Sequence, residues 1–103
     1  MAIRLNTQIG TSGGITSQAY IRISNYLVDK SNLIIRFSLE IYNQESEKND
    51  RNNIVANKQI GTFVYKQVQN FNDVENTDIF TAGYSQLRTH LQSIYGANST
   101  TDC

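Results

Sequence analysis

The side chains best suited to chemistry in this chain are its only histidine, His90, and its only cysteine, Cys103. Nucleophilic catalysis by a Ser–His or Cys–His pair would have to use one of them. His90 lies between Leu87 and Leu91, beside the apolar stripe of a predicted helix, so we interpret it as a partly buried structural residue. Cys103 ends a polar tail, which cannot hold a thiolate in place. The sequence therefore predicts no catalytic residue, no enzymatic activity and no small-molecule substrate.

The sequence also lacks the residue patterns that bind metals or cofactors. One histidine and one cysteine cannot build a zinc site. The segment Gln44–Asn53 (QESEKNDRNN) carries three carboxylates without the spacing of a calcium loop, and its mixed charge indicates a solvated loop. Gly10, Gly13 and Gly14 do not follow a dinucleotide or phosphate-loop pattern. We expect no metal and no cofactor.

The charge balance argues against nucleic acid and membrane partners. Nine Lys and Arg residues balance nine Asp and Glu residues, so no net field attracts the chain to a polyanion. Aromatic residues occur on predicted strands, but the basic groove that accompanies base stacking is missing. The first ten residues lack the apolar core of a signal peptide, and no run approaches the length of a membrane span.

Uncharged polar residues dominate the composition. Asn, Gln, Ser and Thr together supply more than a third of the chain, while Pro and Trp are absent. Two explanations stand: an AT-rich genome, or a surface made for protein contacts through amide and hydroxyl groups. A neutral protein also lacks colloidal repulsion, which an assembled subunit tolerates better than a free monomer.

Alternating apolar residues predict a β-hairpin from Ala19 to Tyr42. One run covers Ala19–Val28 and the next Leu33–Asn43, joined by a polar tetrad at 29–32. A period of two indicates strands with one buried face, and a connection this short makes them antiparallel. The hairpin is the clearest sign that this polar chain folds.

The remaining elements complete an α+β prediction. Strand character returns over Ile54–Val68, with Ile54–Val55 as a separate short piece, and Asn70–Thr77 reads as a loop. A helix is predicted over Ile79–Tyr95, capped by Asp78 or Thr77 and ended by Gly96. We expect a small antiparallel sheet of three to four strands with this C-terminal helix packed on one face.

One domain is expected, at 19–96. Residues 1–18 read as an N-terminal arm that is flexible or ordered by a partner, with Ala2–Leu5 as a candidate short strand, and residues 97–103 read as a polar tail. The helix stripe should cover the hairpin face that carries Leu33, Ile35, Phe37 and Leu39. That stripe consists of Phe80, Tyr84, Leu87, Leu91 and Ile94.

The second face of the sheet is the candidate interface. A single helix cannot cover both faces, and a face bearing Tyr and Arg is either solvent-exposed or a protein contact surface. Arg22 on this face lies near Glu40 or Arg36, depending on register; an exposed ion pair contributes at most roughly 1 kcal/mol. The interface hypothesis includes these residues: Ile15, Tyr20, Arg22, Ile34, Tyr42, Val64 and Val68.

The stretch Gly14–Ile23 (GITSQAYIRI) resembles a sequence found in small structural and accessory proteins of tailed-bacteriophage virions. In those proteins such a stretch precedes a β-hairpin, and a "Y..L...L" helix follows, matched here by Tyr84, Leu87 and Leu91. This chain departs from the pattern in its polar loop Gln44–Asn53 and its Asn-rich end.

The resemblance implies a virion component, assembled in the host cytoplasm, with other virion proteins and copies of itself as partners. The implied roles are capsid decoration, a head fibre, or attachment of tail and fibre. The alternative is a free small binding or regulatory module that targets a host or phage protein.

Overall fold

The computed structural model describes residues 1–69 and 78–103, and its architecture is α+β. The main sheet is antiparallel with five strands in the order β6-β5-β4-β1-β7, and β2 and β3 form a small second sheet. The elements are β1 (Ile3–Leu5), β2 (Ile9–Thr11), β3 (Gly14–Thr16), β4 (Ala19–Asp29), β5 (Ile34–Tyr42), β6 (Phe63–Gln67), α1 (Ile79–Tyr95) and β7 (Thr100–Asp102). The α+β class is confirmed, and the sheet has five strands where three to four were predicted.

The predicted hairpin forms the centre of the sheet as β4 and β5. In its turn, one carboxylate oxygen of Asp29 accepts hydrogen bonds from the backbone N–H groups of Ser31 and Asn32. Leu33 has a φ of 55° and lies in this turn, 39% exposed, so its predicted place in the core is wrong. The register shifts by one residue at Ser24, a β-bulge that reverses which side chains of β4 face inward.

Both ends of the chain add strands to the main sheet, unlike the predicted arm and tail. β1 pairs with β4 and β7 pairs with β1, and Ile3 and Leu5 are almost fully buried. Ala2 and Cys103 exchange backbone hydrogen bonds beyond the paired segment. Three residues are too few to establish a periodic pattern, so of these two strands only β1 has a counterpart in the prediction, the candidate short strand Ala2–Leu5.

The predicted strand over Ile54–Val68 is split. Val55 makes an isolated antiparallel bridge to Ile41, as expected of a separate piece, and the strand itself, β6, begins at Phe63. Two 3-10 turns, Glu45–Glu47 and Arg51–Asn53, shape the predicted polar loop. The predicted loop at 70–77 lies outside the described residues.

The helix α1 covers the inner face of the sheet and matches its predicted bounds. The carboxylate of Asp78 caps it by accepting from the backbone N–H of Phe80 at 3.0 Å. Tyr84, Leu87 and Leu91 are buried, whereas Phe80 is 38% exposed and meets Tyr26 edge-to-face. The inner face beneath α1 carries the fully buried Ile35 and Phe37, and Leu39 packs against this core partly buried.

Candidate protein interface on the outer sheet face

Register assigns each sheet side chain to a face. Residues directly opposite one another in an antiparallel pair point the same way. Phe37 faces inward, so its partners Tyr26 and Val64 do too, whereas Arg36 and its partners point outward. The outer face therefore has two halves, one beneath the loop 44–53 and one at the β6 side of the sheet.

A hydrogen-bonded cluster fills the half of the outer face beneath the loop. Arg22 Nε donates to Glu40 Oε2 at 3.0 Å, and the Tyr42 hydroxyl donates to the same oxygen at 2.9 Å. Arg22 Nη2 donates to the Lys48 carbonyl at 3.1 Å, which ties the loop to the sheet. Arg51 Nη2 lies 4.0 Å from Glu40 Oε1. We call this set the Glu40 cluster.

The electrostatics of the Glu40 cluster favour the ionised carboxylate. Burial by itself would raise the pKa of Glu40, but the hydrogen bonds from Tyr42 and Arg22 and the positive charges of Arg22 and Arg51 together lower it. Burial and the bond to Glu40 raise the pKa of Tyr42. The carboxylate therefore stays charged and bonded at neutral pH, which makes it an anchor for the loop.

The Glu40 cluster is largely buried, except for Arg51, whose side chain is 83% exposed. Tyr42 is fully buried, Tyr20 is 6% exposed, and the Lys48 ammonium lies 5.6 Å from the centre of the Tyr20 ring. The ion pair of Arg22 with Glu40 was expected to be exposed; the Glu40 side chain is 10% exposed and the Arg22 side chain 33%. Tyr20, Arg22 and Tyr42 lie on the predicted face, but this part of it is covered by the protein's own loop.

The other half of the outer face is open and rich in large side chains. Leu27 and Tyr65 are each 55% exposed, and Phe63 is 38% exposed. The Arg36 guanidinium lies between them, with its carbon 4.5 Å from the centre of the Phe63 ring. We define the outer patch as these residues: Leu27, Ile34, Arg36, Phe63 and Tyr65.

Arg36 gives the outer patch an unmet hydrogen-bonding demand. Its Nε atom is buried and has no hydrogen-bond partner in the described part of the structure. Leaving a buried donor unsatisfied costs about 1–3 kcal/mol, more when it is charged. A carboxylate or carbonyl oxygen brought to the patch by another molecule would satisfy this donor.

Two predicted interface residues lie on the wrong face. Val64 and Val68 are 4% and 7% exposed within the core cluster beneath α1, so the prediction of their facing outward is wrong. Of the other predicted residues, Ile34 lies in the outer patch. Ile15 is 74% exposed in the β2–β3 hairpin, apart from the patch.

Two features of the sequence conceal most of the outer patch. Unbroken alternation places Leu27 with Ile23 on the inner face, and only the bulge at Ser24 turns it outward. The run Phe63-Val64-Tyr65 is apolar at every position, so it carries no period-two signal to assign faces.

His90 and Cys103 each contact a backbone carbonyl of the fold. His90 Nε2 lies 3.0 Å from the Ile60 carbonyl oxygen, a contact that ties α1 to the loop before β6. Cys103 is exposed at the end of the sheet.

Among residues 1–69 and 78–103, no group of three or more His, Cys, Asp or Glu side chains is placed to hold a metal ion. None of the helices in that part of the chain is long and apolar enough to cross a membrane.

An open, mostly apolar groove of about 430 Å³ lies beside β5, next to Leu39, Ile41 and Val55. Two of its polar lining residues already serve the fold. Ser12 Oγ accepts from the Ala56 backbone N–H, and the side chain of Asn57 donates to the Gly10 carbonyl. The groove follows from the gap between the Val55 bridge and the start of β6.

Comparison with protein-family models, with curated proteins and with solved structures gives no match for this chain. No family assignment follows. A proposal of function depends instead on the outer patch, on the Glu40 cluster that shapes its surroundings, and on the sequence resemblance of Gly14–Ile23.

Proposed function

We propose that this chain is a non-enzymatic structural protein of a tailed-phage virion that acts through protein–protein contacts. In this proposal the outer patch is its contact surface for another virion protein. The corresponding roles are capsid decoration, a head fibre, or attachment of tail and fibre. The site of action is the virion, assembled in the host cytoplasm.

The outer patch carries this proposal. Protein interfaces are enriched in aromatic residues and Arg, and their strongest contacts come from side chains of these types. Tyr65, Phe63 and Arg36 adjoin on one open sheet face, with Leu27 beside them. The buried Nε of Arg36 favours a partner surface that brings an acceptor oxygen, such as a carboxylate, into apolar surroundings.

The virion setting is supported by sequence. The GITSQAYIRI stretch at Gly14–Ile23 resembles phage structural proteins, and it leads directly into the hairpin that forms the outer face. Zero net charge and an amide-rich surface suit a subunit that is held within an assembly. The experiment must distinguish this virion role from the alternative, a free binding module.

Quantitative mass spectrometry of purified particles tests the proposal. The wild-type chain should appear in fixed stoichiometry to the major capsid protein. Leu27→Lys places a charge in the outer patch and should reduce incorporation at least tenfold. Ile54→Lys, which changes a residue of similar character at 37% exposure outside the patch, should incorporate normally.

Both variants must first show cooperative thermal unfolding close to that of the wild type. Absence of the wild-type chain from the particles would overturn the virion assignment and favour the free module. Equal incorporation of the two variants would overturn the role of the outer patch.

A further inference from the structure

In the described part of the chain, β6 is an edge strand of the main sheet. It pairs with β5 on one side, and no strand among the described residues pairs with the other. Edge strands are natural templates for adding another strand, because they present a row of backbone donors and acceptors.

Two hydrogen bonds that flank β6 fix the direction of every backbone group in it. The Leu39 N–H donates to the Thr62 carbonyl at 2.9 Å, and the Val68 N–H donates to the Leu33 carbonyl at 2.8 Å. Hydrogen-bonded pairs recur at every second residue of an antiparallel ladder. Val64 and Lys66 therefore point their backbone groups toward β5.

The alternate residues point their backbone groups away from the sheet. Phe63, Tyr65 and Gln67 thus present three N–H groups and three carbonyl groups along the open edge. The same residues place their side chains on the outer face, where Phe63 and Tyr65 are exposed. The open edge and the outer patch are one continuous surface.

We propose that a second copy of this chain pairs with β6 in antiparallel orientation, about a two-fold axis at Tyr65. In this register Tyr65 lies opposite Tyr65 of the second copy, and Phe63 lies opposite Gln67. All three pairs are of the hydrogen-bonded type, so six backbone hydrogen bonds join two five-stranded sheets into one ten-stranded sheet.

Side chains fit the two-fold register without conflict. Tyr65 meets its own counterpart, an aromatic cross-strand pair of the kind that stabilises sheets. The Lys66 side chain lies on the other face, opposite Val64 of the second copy, so no like charges meet. Two tyrosines separate the two Arg36 guanidinium groups, and the zero net charge of each copy adds no general repulsion.

A second copy suits this edge better than an unrelated strand. The outward-pointing residues are spaced evenly about Tyr65, so the strand complements itself. A two-fold contact of this kind is isologous and closes on itself, which prevents further growth at β6. A five-residue edge is small compared with the roughly 800 Å² that each partner buries in a stable complex, so we expect a weak dimer that forms at high protein concentration.

This dimer rests on the proposed function and deepens it by naming a partner for the surface next to the outer patch. Sedimentation velocity at protein concentrations from about 10 μM to 1 mM measures it. The wild type should shift from monomer to dimer across the range. Tyr65→Pro removes the central outward N–H, a change that edge strands tolerate, and should weaken dimerisation at least tenfold. Tyr65→Lys opposes two like charges on the axis and should do the same, with a salt-dependent loss.

Ile15→Lys is the matched control, since Ile15 is exposed in the β2–β3 hairpin, apart from both the outer patch and the β6 edge, and this variant should dimerise normally. Amide hydrogen exchange provides the decisive pattern. Raising the concentration should slow exchange at Phe63, Tyr65 and Gln67, while Val64 and Lys66 keep the protection that β5 already gives them.

A wild type that stays monomeric at 1 mM, or protection without this alternation, would overturn the dimer. The proposed function is judged separately. A monomeric chain that still enters particles refutes the dimer alone, and a dimer that is absent from particles refutes the virion role alone.

Discussion

Replacing Glu40 by Gln tests the claim that a charged carboxylate anchors the loop to the outer face. The substitution keeps the shape and one acceptor oxygen but removes the charge that Arg22 and Tyr42 bond at 3.0 and 2.9 Å. Hydrogen bonds to charged groups contribute about 1.5–3 kcal/mol each, and Gln retains part of this. We expect a loss of about 2 kcal/mol in the free energy of unfolding at pH 7, which lowers Tm by roughly 10 °C.

The pH dependence of this loss distinguishes the charge from simple packing. The folded pKa of Glu40 lies below its usual value of 4.5, so its stabilisation is fully present above pH 4.5 and disappears as pH falls through the folded pKa. The difference between wild type and Glu40→Gln should therefore shrink below pH 4.5. Other carboxylates, including Asp29, titrate equally in both proteins and cancel in the difference.

Chemical denaturation of both proteins from pH 7 to pH 2.5 measures this difference. Glu45→Gln is the matched control, because Glu45 is exposed and its pair with Lys48 is a surface contact. It should change stability by less than about 0.5 kcal/mol. Equal losses in the two variants at pH 7, or a Glu40→Gln loss that does not vary with pH, would refute the reasoning.

Four further substitutions at three positions test the packing and capping of α1, each by its effect on the free energy of unfolding. Gly83→Ala should destabilise by about 1–2 kcal/mol despite better helix propensity, because its Cβ would lie 2.6 Å from the buried Phe37 ring; a gain in Tm would refute the close approach. Tyr84→Phe should cost about 1–3 kcal/mol, since the hydroxyl accepts from the Ile23 N–H at 2.9 Å in the core, and an unchanged Tm would contradict this. Asp78→Ala should lower the free energy of unfolding by about 1 kcal/mol, because it removes the N-cap. Asp78→Asn keeps a side-chain oxygen that can cap the helix, so it should retain most of the wild-type stability.

The elements with a regular period were predictable from sequence. The helix α1 and the β4–β5 hairpin each carry enough apolar residues at one spacing to fix the element and, in most of its length, the buried face. Asp78 and Gly96 also identify the helix ends by their chemistry. Local pattern was sufficient wherever one element spans several periods.

The remainder depends on contacts between distant parts of the chain. β1 and β7 are three residues long and pair with each other across nearly the whole sequence, so local pattern does not place them in the main sheet. The bulge at Ser24 changes the face of Leu27, and the uninterrupted apolar run around Val64 conceals its orientation. The bulge at Ser24 and the apolar run around Val64 determine which side chains form the outer patch, which is why the candidate site was less predictable than the fold.

Hydroxyl-radical footprinting of free protein and of purified particles tests the central claim, that the outer patch contacts another virion protein. The account predicts that Leu27 and Phe63 lose reactivity in the particle, while Tyr26 and Ile54, which are exposed outside the patch, react as in the free chain. Leu27 is the decisive residue, because dimerisation at β6 leaves it uncovered. Unchanged reactivity of Leu27 in particles that contain the chain would contradict the account.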